Sequence, residues 1–184
     1  MKKSIVCLLV CFVLISIQLK AQEISSAPVQ TDKISIGIGI GQEHGGFGVN
    51  LTAYPIRSIG IFGGLGYNMV GAGYNIGLKF RLIPARPTAK VTPYAVAMYG
   101  YNAVIKVTGA SQYDKIFYGP TFGVGIDYKS YSKSKIYYSF GINVPIRGTE
   151  VDEYMDDLTN NHNVEFTSGL LPVTFTIGFK YILK

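Results

Sequence analysis

Residues 34–41 read Ile-Ser-Ile-Gly-Ile-Gly-Ile-Gly, and residues 171–182 read Leu-Pro-Val-Thr-Phe-Thr-Ile-Gly-Phe-Lys-Tyr-Ile. In both stretches every second residue is bulky and apolar, and nearly all the residues between them are small or polar. Successive side chains of a β-strand point to opposite faces of the sheet. The period of two therefore predicts strands with one bulky apolar face and one small, polar face.

The same alternation predicts six strands in all. They span residues 34–41, 47–54, 73–82, 121–128, 137–146 and 171–182. Two weaker segments, 59–67 and 91–101, complete a set of eight, although two glycines interrupt the first and a proline blurs the second. An even number of strands suits a closed antiparallel barrel. The predicted fold class is therefore all-β, an eight-stranded antiparallel up-and-down β-barrel.

The composition of the two faces indicates which of them lines the barrel. In the six clear strands all 28 positions of one row are apolar or aromatic, whereas ten of the 28 positions of the other row are glycine. Glycine weakens a strand, so a water-facing row would favour other residues. The interior of an eight-stranded barrel is only just wide enough for side chains, and small residues fit there. We therefore expect the bulky rows to face lipid in a transmembrane barrel, whose closure satisfies the backbone.

Composition and the N-terminal pattern set the domain organisation. The chain has 184 residues, 48% apolar and 15% charged, which indicates one domain and excludes a disordered chain. Two lysines, an apolar run and a small residue predict a signal peptide over residues 1–21, cleaved between Ala21 and Gln22. Residues 22–32 then form a short linker and residues 33–184 the barrel. The remaining 14 basic and 11 acidic residues leave little case for nucleic acid.

In alternation and length, though in no signature motif, residues 33–184 resemble the small eight-stranded outer-membrane barrels of Gram-negative bacteria, such as the OmpA transmembrane domain and OmpX-type proteins. The resemblance implies a multi-pass protein of the cell outer membrane with both termini in the periplasm. Its implied partners are outer-membrane lipid, lipopolysaccharide and the barrel-insertion machinery. In that group the last strand usually ends in an aromatic residue, whereas this chain ends with Leu183 and Lys184.

This topology assigns each connection to one end of the barrel. The external segments are 42–46, 68–72, 102–116 and 147–169, and the periplasmic turns are 55–58, 83–90 and 129–135. The longest connections are external, as in known barrels of this kind. Charge segregates with them, since the external end has three basic and eight acidic residues and the other end eleven basic and three acidic. This segregation supports the count of eight strands.

Two clusters of charged residues are candidate sites. The first is an acidic external loop formed by Glu150, Asp152, Glu153, Asp156 and Asp157. Its carboxylates could bind Ca²⁺ or bridge divalent cations to lipopolysaccharide, but the spacing is not that of an EF-hand. We interpret it as a solvated, mobile loop.

The second candidate is a polar cluster predicted inside the lumen. Its members are Lys79, Arg81, Asp127 and Lys180, which share the inward row near the periplasmic end of their strands. A buried carboxylate needs cationic or hydrogen-bonding partners. The cluster would act either as an electrostatic gate on a narrow pore or as a packed polar core that closes the barrel.

The histidines give little support for catalysis. His44, beside Glu43, and His162, with Ser168 further along, both fall in predicted external loops and have no catalytic spacing. We expect no enzyme activity, cofactor or metal. The predicted function is a structural or surface-interaction role through the external loops, with an extracellular partner that the sequence does not identify. The alternatives are a narrow, porin-like passive pore and a secreted soluble barrel that binds an apolar ligand.

Overall fold

The computed structural model describes residues 33–83, 89–130, 135–162, 164, 166 and 169–183. Eight strands form one closed barrel in which each pairs antiparallel with the next and β1 with β8. The strands are β1 (Ile34–Gly41), β2 (Gly46–Ile56), β3 (Ile59–Tyr67), β4 (Ala72–Arg81), β5 (Val91–Ile105), β6 (Lys115–Tyr128), β7 (Ile136–Pro145) and β8 (Thr174–Ile182). The predicted eight-stranded up-and-down barrel is confirmed. The predicted signal peptide, its cleavage site and the linker lie outside the described residues.

The outer surface of the barrel is apolar on every strand. Exposure of its large apolar side chains reaches 59% for Ile38 and Val124 and 68% for Phe47. The inward row is buried and mostly polar, with Asn50, Thr121 and others almost inaccessible, and Phe62, Val96 and Met98 form a small apolar cluster with Tyr94. The bulky rows therefore face outward as predicted, and the alternative of a barrel with an apolar lumen is wrong.

The β5–β6 hairpin is longer than the sequence predicted. The two strands pair as far as Ile105 and Lys115, so residues 102–105 and 115–116 of the predicted external segment 102–116 are strand. The register shifts between Tyr101 and Ala103. Such a bulge changes the direction of the strand beyond it. Beyond the bulge, Ala103 and Ile105 are buried in a hydrophobic cluster that is separate from the lumen.

A helix covers that extension. Helix α1 (Thr149–His162) buries Val151 and Leu158 against Ala103, Ile105 and Phe117. We call the helix and the hairpin extension, residues 103–117, the cap. The interpretation of the acidic run as a mobile loop is therefore wrong, because these residues lie on a helix whose apolar side chains at positions 151, 154, 155 and 158 follow helical spacing. No helix in the described part of the chain is long and apolar enough to cross a membrane.

Candidate functional site

The connection between β1 and β2 folds into the barrel. Residues Gln42–His44 form a 3-10 turn, here called the plug turn, and their side chains are at most 1% exposed. The prediction that segment 42–46 is external, with Glu43 and His44 in an outer loop, is therefore wrong. Gly41, Gly45 and Gly46 have φ angles of 114°, 71° and 111°. Glycine adopts such angles readily, which allows the chain to reverse sharply at both ends of the turn.

Glycines of the lumen provide the space for the plug turn. A Cβ at Gly39 or Gly178 would lie 2.7 Å from Cε1 of His44, and a Cβ at Gly64 would meet the carbonyl oxygen of Glu43. Real Cβ atoms do not approach heavy atoms so closely. The glycines that indicated a narrow lumen therefore line a space that the chain itself occupies.

Strand side chains hold the plug turn by its polar atoms. The amide Nδ2 of Asn75 donates to the Gln42 carbonyl at 2.7 Å, and that of Asn50 donates to the Glu43 carbonyl at 2.6 Å. The hydroxyl of Thr174 donates to Oε1 of Gln42 at 2.9 Å. Because these donors belong to β4, β2 and β8, the turn is fixed to several sides of the barrel.

Glu43 is the charged centre of the lumen. Its Oε1 accepts a hydrogen bond of 2.9 Å from the hydroxyl of Tyr94. Its Oε2 lies 3.6 Å from Nζ of Lys79 and 3.8 Å from Nζ of Lys180, and all three charged side chains are 0% exposed. A carboxylate removed from water in this way needs opposite charges and hydrogen-bond donors. The two lysines and the tyrosine supply both.

The structure joins Lys79, Asp127 and Lys180 of the predicted lumen cluster. Nζ of Lys79 lies 3.0 Å from Oδ1 of Asp127, and Ser139 donates to the same oxygen at 2.7 Å. Lys180 donates to Oδ1 of Asn50 at 2.9 Å and joins the cluster through Glu43.

Arg81, the remaining member, has its guanidinium carbon 3.5 Å from the centroid of the Tyr54 ring. Nζ of Lys79 lies at the same distance from the Tyr94 ring. Both contacts have the geometry of cation–π interactions, which add to the attraction that the carboxylates provide for Lys79. The predicted cluster omitted Glu43, because an outward loop was assumed for the β1–β2 connection.

The two histidines are in different places. His44 is buried in the lumen, and neither of its ring nitrogens has a hydrogen-bond partner among the described residues. His162 is on α1, where Nδ1 lies 3.0 Å from the hydroxyl of Tyr113 and Nε2 lies 4.0 Å from Asp157. Ser168 is outside the described residues. Among the described residues no group of three or more His, Cys, Asp or Glu side chains is arranged to hold a metal ion.

The cap presents a charged outer surface. The side chains of the acidic run on α1 are solvent-exposed, in contrast to Val151 within the run and Leu158 directly after it, which are buried. Arg147, just before the helix, donates to the Leu171 carbonyl at 2.6 Å and so joins the two ends of the β7–β8 connection. Partial burial raises the pKa of the Tyr154 phenol, and the carboxylate of Asp157 adds to this effect.

Comparison with known proteins gives one similarity of structure. No protein-family model matches the chain, and no curated protein matches it. Among solved structures, the chain is similar to the N-terminal β-barrel domain of Pseudomonas aeruginosa OprF, with 11% sequence identity and a TM-score of 0.48. That similarity covers 82% of this chain and 97% of the OprF domain.

Proposed function

We propose that the protein is an outer-membrane β-barrel with a closed lumen, which anchors and presents the cap at the cell surface in a structural or surface-interaction role. The observation that carries this proposal is the exposed apolar surface on all eight strands. Soluble monomers rarely expose contiguous apolar patches larger than a few hundred Å². Transfer of an exposed Val, Leu, Ile or Phe side chain from water into an apolar environment is favourable by roughly 1.5–3 kcal/mol. The acyl chains of a lipid bilayer provide such an environment for the outer surface of the barrel.

The backbone of the barrel is compatible with hydrocarbon. Every strand is hydrogen-bonded on both sides because β1 and β8 close the sheet. A sheet without edges leaves no row of unpaired amide groups, which lipid would not tolerate. Outer-membrane lipid and lipopolysaccharide are thus the proposed surroundings of the apolar outer surface, and the barrel-insertion machinery is the proposed route into them.

The content of the lumen favours an anchor over a passive pore. The largest fully buried side chains include Tyr94, Tyr137, Lys79 and Lys180, and the plug turn fills the space beside them. An ion crossing the lumen would have to displace paired charges and part of the backbone. We therefore expect no stable conductance from the native protein.

The cap is the part that a partner outside the cell would meet. Its own apolar cluster holds α1 on the hairpin extension, so the exposed side chains of the helix are presented on a folded surface. The proposal assigns no catalytic role to His44, whose ring nitrogens have no hydrogen-bond partner among the described residues, or to His162, whose Nδ1 contacts the Tyr113 hydroxyl.

Two measurements test the proposal. Barrels that resist detergent change their gel migration on heating, so extracts of outer membrane are expected to show a faster unheated form and a slower boiled form. Planar bilayers that contain the purified protein are expected to show no channel steps. Recovery of the folded protein from the periplasm or medium without detergent would exclude a membrane barrel. Regular channel steps would leave the barrel in the membrane but favour the pore.

A further inference from the structure

The barrel end that carries the turns β2–β3, β4–β5 and β6–β7 has a group of basic side chains. We call this group the basic collar; it consists of Lys33, Arg57, Lys90, Lys129 and Lys135. Four of these side chains are exposed and Lys129 is half-buried. Each of the five stands directly beyond the end of a strand, before β1, β5 and β7 or after β2 and β6. The collar therefore follows the edge of the apolar surface along five of the eight strands, β1, β2, β5, β6 and β7.

The neighbours of the collar belong to the outward apolar rows. Lys33 precedes Ile34, Arg57 follows Ile56, and Lys90 precedes Val91. The apolar side chains at these three strand ends are between 38% and 60% exposed. A lysine or arginine at such an edge can lay its aliphatic stem along apolar surface and place its charge in the headgroup layer.

Tyrosines mark the same level of the barrel. Tyr128, Tyr138 and Tyr181 are each about 40% exposed near this end of β6, β7 and β8, and Tyr128 pairs with Tyr138 in the sheet register. Tyrosine is enriched at the boundary between hydrocarbon and headgroups, where its ring is in apolar surroundings and its hydroxyl is hydrated. The collar lies at the position of lipid phosphates if these tyrosines lie at that boundary.

The two ends of the barrel differ in charge. Outside the lumen, the described residues at the collar end include five basic side chains and no acidic one, since Asp127 is buried in the lumen. The described residues of the cap end include three basic side chains, Lys106, Lys115 and Arg147, against six acidic ones. An anionic headgroup is thus attracted at one end and repelled at the other.

We infer that the basic collar binds the headgroups of anionic glycerophospholipids, such as phosphatidylglycerol, in the leaflet at the turn end of the barrel. This inference rests on the proposed membrane location. It adds the class of lipid that is bound and the leaflet in which it lies. A positive charge close to an anionic membrane surface favours association by about fivefold. Because the collar and the headgroups are both exposed to solvent, salt screens the attraction between them. The preference for anionic lipid must therefore weaken as the Debye length falls from about 30 Å at about 0.01 M salt to about 3 Å at about 1 M.

The test measures which lipids surround the reconstituted barrel. The full chain, without its predicted signal peptide, is refolded into phosphatidylcholine vesicles that contain trace phosphatidylglycerol or phosphatidylcholine with a nitroxide on the acyl chain. Electron spin resonance gives the immobilised fraction of each label at the protein surface. We expect phosphatidylglycerol to be immobilised preferentially at low salt, and the preference to disappear at high salt.

Matched double variants locate the effect. Lys90→Gln with Lys129→Gln removes two charges from neighbouring positions in the collar, where the Lys129 amide donates to the Lys90 carbonyl. Lys106→Gln with Lys115→Gln removes two charges from the cap end. The first pair is expected to reduce the preference at least severalfold, and the second to leave it unchanged or raise it. Lys90, Lys106 and Lys115 are exposed and Lys129 is half-buried. Unchanged heat-modifiable migration verifies that the barrel of each variant folds. Because Lys115 lies over the rings of Phe117 and Tyr154, unchanged limited proteolysis of α1 verifies that the cap of the second variant folds.

The outcomes separate this inference from the proposed function. If neither label is immobilised, the protein is not embedded in the bilayer and the membrane barrel itself fails. If both labels are immobilised equally, the barrel is embedded but the collar does not select anionic lipid. The inference would also be overturned if the cap-end variant lost the preference for phosphatidylglycerol and the collar variant kept it. The anionic lipid would then bind at the cap end.

Discussion

Oε2 of Glu43 lies 3.6 Å from Nζ of Lys79, which connects the turn after β1 to the middle of the lumen on β4. The same oxygen lies 3.8 Å from Nζ of Lys180 on β8. The plug turn thus supplies a carboxylate that lies close to both buried lysines, and Lys79 also contacts Asp127. Arg81 is also buried, so without Glu43 the described part of the lumen would hold one carboxylate, Asp127, for three buried cations.

Glu43→Gln is expected to destabilise the barrel. The amide keeps the shape of the side chain and can still accept from Tyr94, but Lys180 loses its nearest carboxylate. Removal of one partner from a buried ion pair costs about 3–5 kcal/mol. Urea unfolding of the protein in detergent or lipid, followed by the heat-modifiable band, measures the change. Glu150→Gln on the exposed surface of α1 is the control, expected within about 0.5 kcal/mol of wild type. Equal midpoints for the two variants would contradict a tight buried network.

Asp127→Asn tests the other half of the charge balance. Asp127 accepts from Lys79 and from Ser139, and it is 4% exposed. The substitution leaves Lys79 with Glu43 alone, so we expect a loss of about 3 kcal/mol in unfolding free energy. Asp156→Asn on α1 is the exposed control. An unfolding midpoint that does not move in Asp127→Asn would count against the ion pair with Lys79. The double variant with Glu43→Gln is expected to be non-additive, because both carboxylates contact one lysine.

Two adjacent glycines of β3 distinguish the plug turn from general effects of glycine replacement. A Cβ at Gly64 would meet the carbonyl oxygen of Glu43, whereas a Cβ at Gly63 would have nothing within 4 Å. Gly64→Ala is therefore expected to displace the plug turn and lower stability by about 1–3 kcal/mol. Gly63→Ala is expected to be neutral or to stabilise the strand by about 0.5–1 kcal/mol. Urea unfolding midpoints of the two variants are compared in the same lipid. Equal midpoints would show that the plug turn does not need the space beside Gly64.

Val124→Arg tests whether the apolar outer surface of the barrel contacts hydrocarbon. Val124 is 59% exposed on the outward row of β6. An arginine on the lipid face near the bilayer centre costs about 2–4 kcal/mol in membrane barrels, whereas the same change on a water-facing strand would cost little. Unfolding in lipid vesicles gives the difference, and Ser111→Arg on the exposed cap provides the reference. Val124→Arg unfolding at the same urea concentration as wild type would mean that this row does not face lipid.

The sequence specified the barrel well because strand alternation is a local property. The row of Ile36, Ile38 and Ile40 assigns its own two faces, and the glycine content of the opposite row indicates the lumen without knowledge of any partner strand. The plug turn could not be predicted in this way. Its inward direction depends on Gly39, Gly64 and Gly178, which belong to three strands and become neighbours only when the barrel closes.

The cap helix was missed for a different reason. Its apolar positions, such as Val151 and Leu158, are few and are separated by acidic residues, so the segment has a low hydrophobicity and reads as a solvated loop. The surface that stabilises it lies on β5 and β6 beyond the bulge at Tyr101 and Ala103, where the alternation no longer follows the barrel wall. Tertiary contacts supply most of the stability of such short helices, and local sequence does not reveal them.

Leu158→Ala tests whether the cap folds separately from the barrel. Leu158 is 1% exposed in a cluster that contains no residue of the lumen. Truncation of a buried leucine to alanine lowers the free energy of unfolding by about 2–5 kcal/mol. We expect a loss of this size to unfold the cap, because its apolar cluster is small. We expect α1 to become sensitive to limited proteolysis while the heat-modifiable band and its unfolding midpoint stay unchanged. Asn160→Ala, on the exposed side of the same helix, should leave the cleavage rate as in wild type. Loss of the heat-modifiable form in Leu158→Ala would instead show that the cap and the barrel unfold as one unit.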